Sequence, residues 1–510
     1  MKYGMISTGS KEASQTALEI LKLGGNAFDA SIAAVMTSMT SEVNLTSMAG
    51  GGALLAYING QEPILYDFFV DAPCIDKNKN FEFYNTAIDF GETEQVFHIG
   101  KGSIAIPGNI KGLLYAHAKL GRLPLKIITE PAKEIAKNGV KLSPSQAYIT
   151  SLLSSIIDKS KDSRKLFFKK DKIISEGDIF LNPDFSDFIE WITEEGDRPF
   201  YEGEIGRKMV DYLGEDGLIS MEGLKSYQVY EREPLKHEIL NRMFFTNPAP
   251  SVGGTLIIFL LSILQKINSN YKFDNLLLVK IMAATARARY DYFKNPNDEY
   301  QLNLILDNAI IDEYVNLTNN NILDEAMDFT DNGFGSTTHV SVVDKDGNAS
   351  SITTTNGESC GHVLPGTGVI LNNMLGEQDL NPLGFHNWDR QKRMPTLISP
   401  SLLLNKNGKV DLVIGSAGSN RIRSAIIQVI GNYLIKGMTL KESIYASRLH
   451  LEDNQIYLEP KIEIDNNLLS NKNIRVNEFH DINLFFGGVN AVTLDEAVSD
   501  PRRGGCALEC

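Results

Sequence analysis

The chain has 510 residues, 43% apolar and 22% charged, an ordinary globular balance with room for a large core. Its net charge of −15, from 49 basic and 64 acidic side chains, argues against nucleic acid or an acidic membrane surface as a partner, since both reward basic patches. Four cysteines (Cys74, Cys360, Cys506 and Cys510) do not make a disulfide framework in a chain this long, and no CxxC spacing points to zinc.

The first residues, Met1-Lys2-Tyr3-Gly4-Met5-Ile6-Ser7, lack the basic region, apolar run and cleavage site of a signal peptide, so a cytoplasmic location is the expectation. Lys11–Leu23 predicts a helix, with apolar residues at Ala17, Leu18, Ile20, Leu21 and Leu23 and a stop at Gly24-Gly25. Asp29–Met39, rich in Ala and Met, reads as a buried helix. Gly52–Asn59 reads as a strand ending in the hairpin signal Asn59-Gly60. Ser143–Tyr230 is more charged and reads as a helical covering layer. The longest apolar run, Leu256–Leu264, falls well short of the roughly 20 residues of a spanning helix and reads as core, so no membrane span is expected. Val340–Val343 and Ser350–Thr355 flank Asp344-Lys345-Asp346-Gly347-Asn348 as a hairpin. Leu402–Leu404 and Leu412–Ile414 repeat that pattern around Asn405-Lys406-Asn407-Gly408. Ser424–Leu434 and Ser443–Leu449 read as helices, and the end of the chain with Cys506 and Cys510 as a mobile, reduced tail.

Antiparallel hairpins beside buried helices imply mixed α and β structure with sheets covered on their outer faces. The glycine runs Gly50-Gly51-Gly52 and Gly253-Gly254 lack the lysine or spacing of a phosphate loop, so close packing explains them better. Nothing in the chain calls for a metal, a nucleotide or another cofactor.

The chemistry concentrates at Ser336-Thr337-Thr338-His339-Val340-Ser341-Val342-Val343, followed by the Asp344–Asn348 turn. A small residue, a hydroxyl residue, a strand and a tight turn are how a self-freeing N-terminal nucleophile is presented. Thr337 would attack the Ser336 carbonyl, take the upstream chain onto its oxygen and be released by water. It would then hold both a hydroxyl and the amine that activates it. An α-amine titrates near 7.7–8.0, so a useful fraction is a free base around neutrality. His339 shares a strand face with Thr337, yet with the amine as base it is expected to be structural.

Other strings accompany it in order: Gly24-Gly25-Asn26-Ala27-Phe28-Asp29-Ala30, Met48-Ala49-Gly50-Gly51-Gly52, Gly102-Ser103-Ile104-Ala105-Ile106-Pro107-Gly108 and Pro250-Ser251-Val252-Gly253-Gly254. Downstream come Leu371-Asn372-Asn373, Ile398-Ser399-Pro400-Ser401, Gly415-Ser416-Ala417-Gly418-Ser419-Asn420-Arg421-Ile422 and Asp500-Pro501-Arg502-Arg503-Gly504-Gly505. Together they resemble the gamma-glutamyltransferase family of the N-terminal nucleophile hydrolases across nearly the whole chain.

That resemblance implies an α+β fold, a four-layer αββα sandwich built jointly by residues 1–336 and 337–510 after cleavage between Ser336 and Thr337. It implies a small-molecule substrate, a gamma-glutamyl or related amide, passed from a threonyl acyl-enzyme to water or an amine. Thr355 resembles the threonine that hydrogen-bonds the nucleophile, and Gly418 and Ser419 resemble the pair of glycines whose amides form the oxyanion hole. Ser419 stands where the family has the second glycine. Asn356 matches the residue that orients the substrate α-carboxylate, with a one-residue shift that puts Gly357 at the ungapped place. Glu377 matches the acid that receives the α-amine. Thr396 and Leu397 stand for two serines near Ser399, and Met374 for a glutamine. The arginine expected shortly after Ala72-Pro73 is missing: the sequence continues Cys74-Ile75-Asp76-Lys77-Asn78-Lys79, and no arginine precedes Arg122. Arg421 reads as a loop anchor and Asp500-Pro501-Arg502-Arg503 as a buried turn. Two other readings stay open: an N-acyl amidase of cephalosporin-acylase type not specific for glutathione, and a non-processing relative that only binds. The oligomeric state is left open.

Overall fold

In the computed structural model α1 (Lys11–Lys22) starts where the Ser10 hydroxyl accepts the Ala13 amide, and the chain turns away at Gly24, whose φ is +93°. A capping box between Asn26 and Asp29 starts α2 (Ala27–Ser41). Every residue of α2 is buried, so this helix lies inside the molecule, between α1 and a sheet. The structure describes residues 2–510 apart from 76–79, 90–93, 268–272, 294, 296–297, 321, 324–335, 389–391, 453 and 465–473.

Among the described residues, thirteen strands build two central sheets. In chain order they are β1 (Gly4–Thr8), β2 (Gly51–Tyr57), β3 (Ile64–Phe68), β4 (Tyr230–Arg232), β5 (Leu235–Ile239), β6 (Arg242–Thr246), β7 (Thr337–Asp344), β8 (Ala349–Thr355), β9 (Ser401–Asn405), β10 (Val410–Ala417), β11 (Gly488–Val492), β12 (Ala497–Ser499) and β13 (Cys506–Glu509). The first sheet runs β4-β3-β2-β8-β7-β1-β13, and the second β5-β6-β9-β10-β11-β12.

Alternation along each strand sorts its residues between layers. Ile6, Leu54, Val340, Val342 and Ile352 face the core shared with α2, whereas Met5, Leu55 and Val343 face the core shared with the second sheet. By the same parity Thr337, His339 and Ser341 face the second sheet. The Ser341 hydroxyl donates to the Asn490 carbonyl at 3.0 Å, and the Asn490 side chain donates back to the His339 carbonyl at 2.8 Å. Gly415 on β10 makes room for the His339 ring, since a Cβ there would lie 2.3 Å from it. Two further helices, α3 (Val252–Ile267) and α4 (Arg421–Ile430), cover the outer face of the second sheet. The result is the four-layer αββα sandwich expected from the resemblance.

The hairpins β2/β3, β7/β8 and β9/β10 are antiparallel pairs, as their turn signals predict. The run Leu256–Leu264 is the buried centre of α3, and among the described residues no helix is long and apolar enough to cross a membrane. Residues 144–213 supply helices Pro144–Leu152, Lys161–Phe167, Pro183–Glu195 and Glu204–Leu213, interrupted by two-residue strands.

Two expectations fail. The helix over Ser443–Leu449 covers only Leu440–Tyr445, because Leu449 already opens a strand, Leu449–Glu452. The C-terminal tail is not mobile: β13 pairs antiparallel with β1, with Ile6 opposite Leu508, and four short residues cannot reveal such a long-range partner. All four cysteines are free.

Candidate active site

Thr337 opens β7 directly opposite Thr355, the last residue of β8. The Thr355 hydroxyl donates to the Ser336 carbonyl oxygen and accepts the Gly357 amide at 3.2 Å. A donor therefore already points at the oxygen of the Ser336–Thr337 bond. On the other side of Ser336 its amide donates to Glu358 Oε1 at 3.0 Å.

The facing wall comes from the second sheet. After β10 the chain turns sharply through Gly418 at φ +114° and Ser419 at φ +47°. A serine in the left-handed region costs on the order of 1–3 kcal/mol. The Ser419 hydroxyl donates to Asp379 Oδ2 at 2.9 Å, a charge-assisted bond that offsets that strain. Behind Gly418 lies Arg503, whose Nη2 would be 3.0 Å from an added Cβ. Thr337, Thr355, Thr396, Glu377 and Ser419 border one cavity of about 290 Å³, with Phe69, Met374, Leu380, Leu397, Ile398 and Ile422 as its apolar side.

Electrostatics divide the site. Burial raises the Glu377 carboxyl well above the usual range, and the neighbouring Glu358 and Asp379 add to the effect. Its Oε1 is buried with no hydrogen-bond partner. Glu358 is raised as well, chiefly by burial. Burial lowers His339 to about 3, so the ring is neutral at ordinary pH. Its two nitrogens meet the hydroxyls of Thr353 at 2.7 Å and Ser341 at 2.9 Å. Both nitrogens are thus engaged by strand hydroxyls, and the ring ties the sheet together. On the opposite strand face the Thr338 hydroxyl donates to Glu42 Oε2 at 2.7 Å.

Of the residues singled out by sequence, Thr337, Thr355, Ser419, Glu377 and Thr396 share this cavity, and Gly418 precedes Ser419 in the sharp turn. Asn356 and Ser399 do not border it. Asn356 is buried with its amide donating to the Leu371 carbonyl at 3.4 Å, and Ser399 donates to the Leu397 carbonyl at 2.9 Å against Gly253. Met374 and Leu397 stand on the cavity wall, where the resemblance led to an expectation of polar side chains. Arg421 anchors its loop through Glu452 at 2.9 Å. Arg502 is locked between Glu459 and Asp500, which makes 500–503 the buried turn expected.

The stretch after Ala72-Pro73 runs into residues 76–79, outside the described residues. Arg393, unmarked in the sequence reading, donates to the Phe69 carbonyl behind the cavity wall, but it is also gripped by Asp71 at 3.1 Å and Asp67 at 3.6 Å. Sequence reasoning also missed Glu358, Asp379 and Glu42, and it read Arg503 as part of a buried turn without placing it behind Gly418. Only Glu358 carried a local signal, standing just past the Asn356-Gly357 turn that follows β8.

The gamma-glutamyltranspeptidase family profile matches residues 13–510. The glutathione hydrolase proenzyme of Pseudomonas aeruginosa is 28% identical over 99% of this chain and 94% of its own length. The capsule biosynthesis protein CapD proenzyme of Bacillus anthracis is 28% identical over 99% of this chain and 90% of its own. The crystal structure of a cephalosporin acylase from Bacillus halodurans superposes with a TM-score of 0.80 at 21% identity, covering 99% and 96% of the two chains, which shows the shared fold. With the profile spanning nearly the whole chain over this fold, the protein belongs to the gamma-glutamyltranspeptidase family and is an enzyme of the N-terminal nucleophile hydrolase class.

Proposed function

We propose that the chain cleaves itself between Ser336 and Thr337 and then uses Thr337 to open a gamma-glutamyl or related amide. The observation that carries this reading is the Thr355 hydroxyl on the Ser336 carbonyl, at the mouth of a cavity shared by Thr337, Ser419 and Glu377. In the mature enzyme Thr337 Oγ attacks the amide carbon while its own α-amine takes the hydroxyl proton. The backbone amides of Gly418 and Ser419 donate to the developing oxyanion; one such donor is worth roughly 2.7–4 kcal/mol in a comparable enzyme. The amine proton passes to the leaving nitrogen, the acyl-enzyme remains, and water or an acceptor amine resolves it.

Glu377 receives an ammonium on the acyl group: a buried carboxyl lacking a partner at one oxygen gains one from such a ligand. The apolar wall of Met374, Leu380 and Leu397 favours acyl chains with fewer polar groups than glutathione offers. This observation keeps the N-acyl amidase reading as the second one.

A denaturing gel of the purified active protein separates the cases. The proposal expects two pieces, residues 1–336 and 337–510, with Thr337 at the new N-terminus by mass spectrometry. An active enzyme that runs as a single intact chain would overturn it. Turnover of gamma-glutamyl-p-nitroanilide above simple acyl anilides supports gamma-glutamyl specificity, and equal or faster turnover of the acyl anilides supports the amidase. A cytoplasmic place of action remains our proposal, supported by four free thiols of the kind a reducing compartment preserves; recovery of active protein outside the cytoplasmic fraction would refute it.

A further inference from the structure

The mechanism above uses Thr355 but leaves Glu358 idle, although Glu358 is buried 22 residues beyond Ser336 and holds its amide. Three features set this contact up. β8 ends at Thr355, and Gly357 turns back at φ +60°. A Cβ at Gly357 would lie 2.0 Å from Asn373 Oδ1 and 2.4 Å from Glu377 Oε1, so only glycine fits the turn. The Glu358 amide then donates to Asn373 Oδ1 at 2.9 Å, which fixes where its side chain starts.

We propose that Glu358 is a positioning residue for self-cleavage, clamping Ser336 so that Thr337 can attack it. This rests on the reading of Thr337 as a self-freed nucleophile. The physical need is plain. Downstream of the bond, Thr337 is fixed in β7 by pairing with β8. Upstream, Ser336 has two soft backbone dihedrals, and attack requires its carbonyl plane to stay aligned with Thr337 Oγ. Glu358 holds the amide on one side of the Ser336 Cα and Thr355 holds the carbonyl on the other. Both dihedrals are thereby restrained.

The step balances without a further reagent except water. Thr337 Oγ forms a bond to the Ser336 carbonyl carbon, the carbon–nitrogen bond breaks, and the hydroxyl proton ends on the Thr337 nitrogen. Water then splits the ester, leaving a carboxylic acid on Ser336, the Thr337 hydroxyl and a free amine. The new Ser336 carboxylate arises beside the acidic pair Glu358 and Glu377.

Glu358→Gln keeps an acceptor oxygen, whereas Glu358→Met keeps the length and removes it. Freshly synthesised full-length protein is followed by gel for conversion into residues 1–336 and 337–510. Glu358→Met is expected to convert about 10- to 100-fold more slowly than wild type, the scale of a small misplacement of reacting atoms, and Glu358→Gln within about threefold. Equal rates for Met and wild type, or equal slowing of Gln and Met, would overturn the proposal. Wild type that never converts would instead sink the processing enzyme itself. Should Glu358→Met fail to fold, hydrogen exchange on the Thr337→Ala precursor still decides. A Ser336 amide protected like its β7 neighbours supports the clamp, and one exchanging at a free-loop rate refutes it.

Discussion

The catalytic edge and the recognition wall of the same cavity are built in different ways. The proposed catalytic edge is set by backbone: Thr337 and Thr355 are cross-strand partners, and Gly418 and Ser419 make a sharp turn. The proposed recognition wall lies outside the two sheets: Glu377, Met374, Thr396 and Leu397 border the cavity. A backbone amide is present whatever side chain position 419 carries, whereas the Leu397 and Met374 side chains offer a substrate carboxylate no hydrogen bond. Reaction type can therefore persist in such a fold while substrate preference drifts.

The largest effect tests the catalytic edge. Thr337→Ala is expected to abolish both conversion and turnover, leaving a single full-length band; residual turnover in the intact chain would show a different nucleophile. Thr355→Val, which keeps the shape and removes the donor on the Ser336 carbonyl, is expected to slow self-cleavage by about 10²–10³, read as the half-time of the full-length band.

The recognition wall should respond in KM. Glu377→Gln is expected to raise KM about tenfold for amine-bearing acyl groups while leaving kcat for uncharged acyl anilides near wild type. Because the Glu377 carboxyl is held above its ordinary range, its anion forms only as pH rises through that raised value. Wild-type KM for an ammonium substrate should therefore fall with rising pH, and the Gln variant should lose that slope. A slope unchanged in the variant would place the ammonium elsewhere. The smallest effect is at the strained turn. Ser419→Gly removes the left-handed strain together with the bond to Asp379, so stability should change by less than about 1 kcal/mol, with Tm by calorimetry as the check. A large loss would mean that the Ser419–Asp379 bond outweighs the strain.

Local pattern made the strands, their turns and the nucleophile legible. Period-two alternation, Asp-Gly and Asn-Gly turns, and a hydroxyl residue at the head of a buried strand all lie within a few neighbours of one another. Thr337 stood out as a hydroxyl residue at the head of a strand, whereas Thr355 and Ser419 were picked out by the family resemblance; all three border the cavity. Glu42 and Asp379 were not found, and Arg503 was read only as part of a turn, because their roles arise from residues far away in the chain. Arg503 matters through its position behind Gly418, and Asp379 through its bond to Ser419.

The sequence by itself determined the mixed α and β pattern and marked the place of the candidate cut and the hydroxyl proposed as its nucleophile, since these depend on short-range periodicity and residue type. Only the tertiary structure decided that the C-terminal residues close the first sheet against β1, that Asn356 and Ser399 turn away from the cavity, and that Glu358 reaches Ser336. Such facts follow from which distant surfaces pack together, and burial then sets which carboxyls keep their protons.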